Sequence, residues 1–344
     1  MEKYSYGENV AGQEGTVYVL ENKNGMKVEI VDFGAVISKI EVPDKDGNAI
    51  DVVLGYDDVK GYEEGSVFFG APVGRSANRI GGAGFSINGK DYTLGENDNG
   101  NNLHSGLDYY HLRFWEINEL SDTEITCSLH SPDGDQGYPG NVTIVITYVL
   151  TEDNELRITY DATPDADTIL NMTNHSYFNL DGHASGDILN QEIWLDADAF
   201  TRANAQSIPT GEILDVTNTP MDFRKAKVIG TEIDTEYEAL VLGAGYDHNW
   251  ILNNNGAYKL VGSLYSSTSE IKMEVYTDLP GVQIYTGNFI NNEIGKNDIT
   301  YVRRSGVCFE TQYFPDAIHH ENFPSPIVKA GEKYHTVTGY KFVL

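Results

Sequence analysis

Apolar and polar residues alternate along this chain from one end to the other. In NVTIVITYVLT, Val142, Ile144, Ile146, Tyr148 and Leu150 share one face and Thr143 and Thr147 the other, because successive side chains of a strand point to opposite sides of a sheet. Ile271, Met273 and Val275 alternate with Lys272 and Glu274 in the same way, and KVEIVDFGAVISKIEV, EITCSLHS, NELRITYDAT and HTVTGYKFVL are similarly rich in β-formers. Asn24-Gly25, Asn88-Gly89 and Asp46-Gly47 stand between such runs. These steps predict hairpins, since Asn, Asp and Gly tolerate the positive φ of tight turns. Helical periodicity is confined to Asp57–Glu63 and Thr235–Leu240, and Ile208–Val228 lacks clear alternation and reads as a structured excursion over the sheet. No internal repeat, low-complexity tract or linker divides the chain. The expectation is all-β: one large antiparallel β-sandwich with few short helices, a single domain over residues 1–344.

The chain carries 23 Lys and Arg against 52 Asp and Glu, a formal charge of −29. Nucleic-acid affinity rests on cations that neutralise phosphates, so nucleic acid is excluded as a partner. An anionic membrane surface would be repelled for the same reason. The start, MEKYSYGENV, has no basic region followed by an apolar core, and no apolar run approaches the ~18 to 20 residues of a membrane helix. Cys127 and Cys308, far apart and each within a strand-like run, suit buried thiols better than a disulfide. These features predict a soluble, cytoplasmic protein.

Cofactor motifs are missing. There is no GxxxxGK[ST], no GxGxxG and no HExxH, so neither a nucleotide nor a metal is expected. His319-His320-Glu321 are adjacent on an extended chain and point to opposite sides, so they read as loop polar residues. The sequons at Asn141, Asn171 and Asn174 matter only in a secreted chain.

Five segments set polar groups among apolar or aromatic neighbours. They are GRSANRI with Arg75 and Arg79, NNLHSG with His104, NMTNHSYFNL with His175, GYDHNW with Asp247 and His248, and VCFETQYFPDA with Glu310. Glu310 is the most informative. A carboxylate in an apolar strand must be desolvated, partnered or ready to take a proton; an ion pair with Arg79 or another cation would explain it structurally. Taken singly, His104 and His175 also read as hydrogen-bonded structural histidines, and Asp247 as a turn residue.

Together the motifs resemble the aldose 1-epimerase, or galactose mutarotase, family. GR-x-A-NRI, NNLH, TNHSYFNL-x-G, GYDHNW, LPGVQIYTGN and FETQ-x-x-PDA stand in the family's order over most of the chain. The resemblance implies a β-sandwich of the galactose mutarotase type with a monosaccharide in a cleft along one face. It implies Glu310 as general base, His175 as general acid and His104 as a second active-site histidine beside the ring-oxygen end. Asn78, Arg79, Asp247 and Gln283 match positions that hold sugar hydroxyls, and aromatics such as Trp250 would supply an apolar face. The implied reaction interconverts α and β anomers of a free aldose such as galactose or glucose by ring opening and closure, without cofactor or metal. Two departures lie near the expected cleft: Ser105-Gly106 followed by DYYHLRFW, and Ile318-His319 after PDA.

Three rival readings remain at this level. A sugar-binding module could dispense with Glu310 or His175; a glycoside hydrolase needs two opposed carboxylates, for which Glu310 and Asp247 are candidates; a sugar-phosphate epimerase would want extra cations. The sequence is compatible with a monomer or a homodimer.

Overall fold

The computed structural model of the chain describes residues 2–343. Three antiparallel sheets dominate, joined by short pairs and two short helices. The first has five strands in chain order between Glu2 and Asp51, formed by successive hairpins. Its turns include the predicted glycines, with Gly25 at φ +82° and Gly47 at φ +81°. The second has nine strands and runs from Glu116–Leu120 through the last strand, Tyr334–Val343, to Lys227–Val228. In its strand Val142–Leu150 the five predicted inward residues are all buried.

The third sheet bears the site. Its order is Pro209–Asp215, Ala197–Ala203, Asp247–Leu252, Gly281–Tyr285 and Cys308–Gln312. Period two divides its last three strands cleanly. Trp250, Val282, Ile284 and Phe309 enter the main core with Met273, Val275 and Tyr340 of the nine-stranded sheet, and the Tyr340 hydroxyl donates to Phe309 O at 2.9 Å. The other face carries Asp247, Asn249, Gln283, Tyr285, Cys308 and Glu310. Register aligns them in two rows, Asn249–Gln283–Glu310 and Asp247–Tyr285–Cys308.

Some boundaries differ from the sequence reading. The helices run Val59–Glu64 and Glu238–Gly243. The first starts late because Asp58 is its N-cap, accepting from Gly61 N at 2.7 Å; the second ends where Ala244 turns left-handed. The supposed excursion Ile208–Val228 opens with the strand Pro209–Asp215, paired to Ala197–Ala203. As an edge strand it is largely exposed, so it carries no alternating apolar signature. Beyond it Val216, Met221 and Phe223 plug the core.

Arg75 fixes the loop that leads to the site. Its guanidinium is fully buried and donates to Pro139 O at 2.8 Å, Gly140 O at 2.9 Å, Pro132 O at 3.0 Å and Ser131 Oγ at 2.8 Å. A guanidinium enclosed by fixed acceptors makes this arginine structural. The next arginine in GRSANRI, Arg79, is left for the cavity.

Candidate active site

A cavity of about 210 Å³ opens on the polar face of the third sheet, and Asn78, Arg79, His104, His175, Asp247 and Glu310 all line it. They arrive on several local devices. Glu310 and Asp247 come from the sheet. His175 ends the strand Thr173–His175, which pairs with Ala71–Val73. Asn78 and His104 both take left-handed backbone, φ +58° and +54°, and clasp one another: His104 N donates to Asn78 O at 2.9 Å and Asn78 N donates to His104 Nδ1 at 3.1 Å.

That clasp sets the chemistry of His104. Because Nδ1 accepts, the neutral ring carries its proton on Nε2. A second proton would set N–H against N–H, and burial, with His175 and Arg79 nearby, already holds the imidazole well below its usual range. His104 is therefore a neutral donor.

His175 is inserted between two aromatic rings, Phe68 at 5.7 Å and Tyr177 at 5.0 Å, each tilted by 27°. Its Nε2 lies 3.5 Å from Glu310 Oε2, and its Nδ1 lies 3.5 Å from Cys308 Sγ. Burial pushes its pKa down to about 3. Glu310 is 2% exposed and its Oε2 has no hydrogen-bond partner. Burial, reinforced by Asp247, pushes this carboxyl well above the usual range, and Arg79 offsets the effect only in part. Both shifts disfavour charge, so in the empty cavity the one proton that the pair shares rests on Glu310 and both groups are neutral. A general acid at His175 that is already charged in the empty site is the state that desolvation opposes.

The Arg79–Glu310 ion pair that would have explained Glu310 structurally is not formed. Arg79 Nε donates to Asp98 Oδ2 at 2.6 Å, leaving Glu310 without a salt-bridged cation and free to act as an acid or base. Asp247 Oδ1 accepts from Gln283 Nε2 at 2.7 Å. Gln283 thus reaches the site through Asp247, and the cavity wall does not include it. Trp250 is a correction. It lies on the opposite face of its strand, fully buried, with Nε1 donating to Met221 O at 3.0 Å. Phe68, Tyr177, Tyr285 and Phe289 supply the apolar wall instead. Tyr285 could have been found by counting two residues from Gln283; Phe68 had no comparable signal.

The side chains of His104, His175 and Glu310 place ligand-type atoms within 4.8 Å of one another. A metal-bound imidazole donates its other ring N–H to a second partner. His104 does the reverse, accepting at Nδ1, so metal at Nε2 would require an imidazolate or the loss of the Asn78 clasp. The donor set fits proton transfer better than a metal ion. His319 and His320 are engaged with Asp316, at 2.6 and 3.5 Å, away from this cavity.

The chain is similar to known proteins of one family. The sequence profile of the aldose 1-epimerase family matches residues 16–341. The galactose mutarotase of Homo sapiens is 38% identical over 339 residues, covering 98% of this chain and 97% of its own. That of Bos taurus is 40% identical over 318 residues, covering 92% and 91%. The aldose 1-epimerase of Escherichia coli K12 is 35% identical over 335 residues, covering 96% of each chain. Among solved structures, an aldose epimerase homologue from C. elegans superposes with a TM-score of 0.87 at 29% identity, covering 95% of this chain and 98% of its own. A galactose 1-epimerase from Lactobacillus acidophilus gives 0.86 at 26% identity, covering 99% and 98%.

Proposed function

Because the chain belongs to the aldose 1-epimerase family, we propose that it interconverts the α and β anomers of free galactose or glucose, with Glu310 and His175 moving the protons. Opening the ring needs a proton taken from the C1 hydroxyl and one given to the ring oxygen, O5. The C1–O5 bond then breaks and C1 becomes an aldehyde. Rotation about C1–C2 exposes the other carbonyl face. Closure returns both protons in reverse, so the pair ends with the one proton it began with.

The observation that carries this reading is the 3.5 Å approach of His175 Nε2 to Glu310 Oε2 inside the cavity. Two groups sharing one proton can exchange it through O1 and O5 of a bound sugar without leaving a net charge behind. Sugar binding brings polar hydroxyls into the cavity, which eases the charge-separated form, Glu310 ionised and His175 protonated. His104 Nε2–H serves as a fixed donor toward the ring-oxygen end. Asn78, Arg79 and Asp247 hold hydroxyls, with Gln283 orienting Asp247. Family membership favours anomer exchange over the two-carboxylate chemistry of a glycoside hydrolase, and Asp247, the second carboxylate on the wall, is engaged by Gln283. Among the described residues Arg79 is the one Lys or Arg on the cavity wall and is already bound to Asp98, which suits a neutral sugar better than a phosphorylated one.

All of these groups come from one chain between residues 78 and 310, so residues 1–344 are read as one functional domain that acts as a monomer or as each half of a homodimer. The free, buried thiols of Cys127 and Cys308 support a cytoplasmic setting. Among the described residues no helix is long and apolar enough to cross a membrane.

Anomer exchange can be measured at equilibrium by the transfer of proton magnetisation between the α and β H1 signals of galactose and of glucose. Catalytic amounts of protein should accelerate exchange of at least one of these sugars well beyond buffer. Sugar binding with exchange no faster than buffer would instead indicate a non-catalytic binding module.

A further inference from the structure

We propose that Cys308 is a positioning residue for the proton transfer: its thiol holds Nδ1 of His175 as a partner able both to donate and to accept, leaving Nε2 aimed at Glu310 and at the sugar's ring oxygen. The inference rests on the epimerase reading, which it deepens. Cys308 is fully buried, and its Sγ lies 3.5 Å from His175 Nδ1. It precedes Glu310 by two residues in the strand Cys308–Gln312, so period two sends both side chains to the same face. One strand thereby presents the carboxylate and orients the imidazole that works with it.

A thiol differs from the usual partners of a catalytic histidine. A carboxylate would fix Nδ1–H and hold the imidazolium tightly; the main-chain hydrogen bond that His175 makes within its own residue also favours the charged ring, but a carbonyl can only accept, whereas the thiol can also donate. Burial pushes the Cys308 thiol well above its ordinary range, so it stays S–H, a weak donor and a weak acceptor in one group. When His175 is charged, Nδ1–H donates to sulfur. When Nε2 has released its proton, the same bond persists. When the proton sits on Nε2, the thiol rotates and donates to Nδ1. Nδ1 thus keeps a partner at every stage, while the ring is held in place between Phe68 and Tyr177. The weakness of the bond also leaves the proton easy to release, which suits donation to a weakly basic ether oxygen.

The test compares Cys308→Ala and Cys308→Ser in the full chain. Alanine removes the partner and should lower kcat about tenfold with KM within about twofold. Serine, which donates and accepts from the same place, should restore most of kcat. Nitrogen-15 spectra of histidine-labelled protein without sugar supply a readout independent of turnover: the His175 Nδ1 resonance should move in Cys308→Ala, stay close to wild type in Cys308→Ser, and leave His104 unmoved. Wild-type kcat and an unmoved Nδ1 resonance in Cys308→Ala would overturn the proposal. If the alanine variant does not fold, the serine variant decides, since a tenfold loss of kcat in folded Cys308→Ser contradicts an interchangeable partner. Failure of the wild type to exchange anomers strikes the epimerase reading alone, because the Nδ1 resonance is read without it.

Discussion

Glu310→Gln is expected to lower the rate of anomer exchange by about 10² to 10⁴, the range supplied by one positioned acid or base. The substitution preserves shape and removes only the capacity to take a proton. Among the described residues Oε2 accepts no hydrogen bond, and the approach to His175 Nε2 at 3.5 Å is the one ionic contact that the carboxylate makes. An amide in that position breaks no structural bond and no longer buries an ionisable group, so the thermal midpoint should hold or rise. KM should change little, because Asn78, Arg79 and Asp247 remain. Near-normal turnover in a folded Glu310→Gln protein, measured by polarimetry with freshly dissolved sugar, excludes Glu310 as the base.

His175→Asn should cost a similar factor, and the pH profile of the wild type tests the same pair without mutation. In the proposed mechanism the active enzyme needs one proton on the pair. Adding a second requires a charged His175 beside a neutral Glu310, which burial opposes by holding the imidazole down to about 3. Removing the last leaves a buried carboxylate near Asp247, which raises the Glu310 carboxyl well above its usual range. The acid limb therefore lies below the ordinary carboxylate value of ~4.3, and the alkaline limb is displaced upward from that value, so both limbs move outward. We expect kcat/KM to hold as pH falls from about 7 to about 5. An acid limb with its midpoint near ~6.5, the ordinary imidazole value, would show a histidine that titrates in water, which the enclosure between Phe68 and Tyr177 does not allow.

How far the sequence exposed this site depended on which physical signal each residue left. Strands with one wet and one buried face announce themselves by alternation, and Val142–Leu150 was legible for that reason. The edge strand Pro209–Asp215 was not, because exposure on both sides erases the pattern. Glu310 stood out as a carboxylate in an apolar run. Arg79 and Glu310 looked like natural partners by charge, yet Asp98 holds Arg79, a contact set by the loop that the Asn78–His104 clasp shapes. Trp250 looked like a sugar platform because it neighbours Asp247 in GYDHNW. They stand three positions apart on the strand, an odd step that turns the indole into the core. The same parity argument, applied to Cys308 and Glu310, would have placed the thiol beside the histidine.

The role of the pair is tested most directly by the structure of the Glu310→Gln variant with galactose bound. The account predicts the C1 hydroxyl within hydrogen-bond reach of the side chain at 310 and the ring oxygen within reach of His175 Nε2, with His104 Nε2 at the same end of the ring. A sugar seated in the cavity with C1 and O5 turned away from both groups would contradict it.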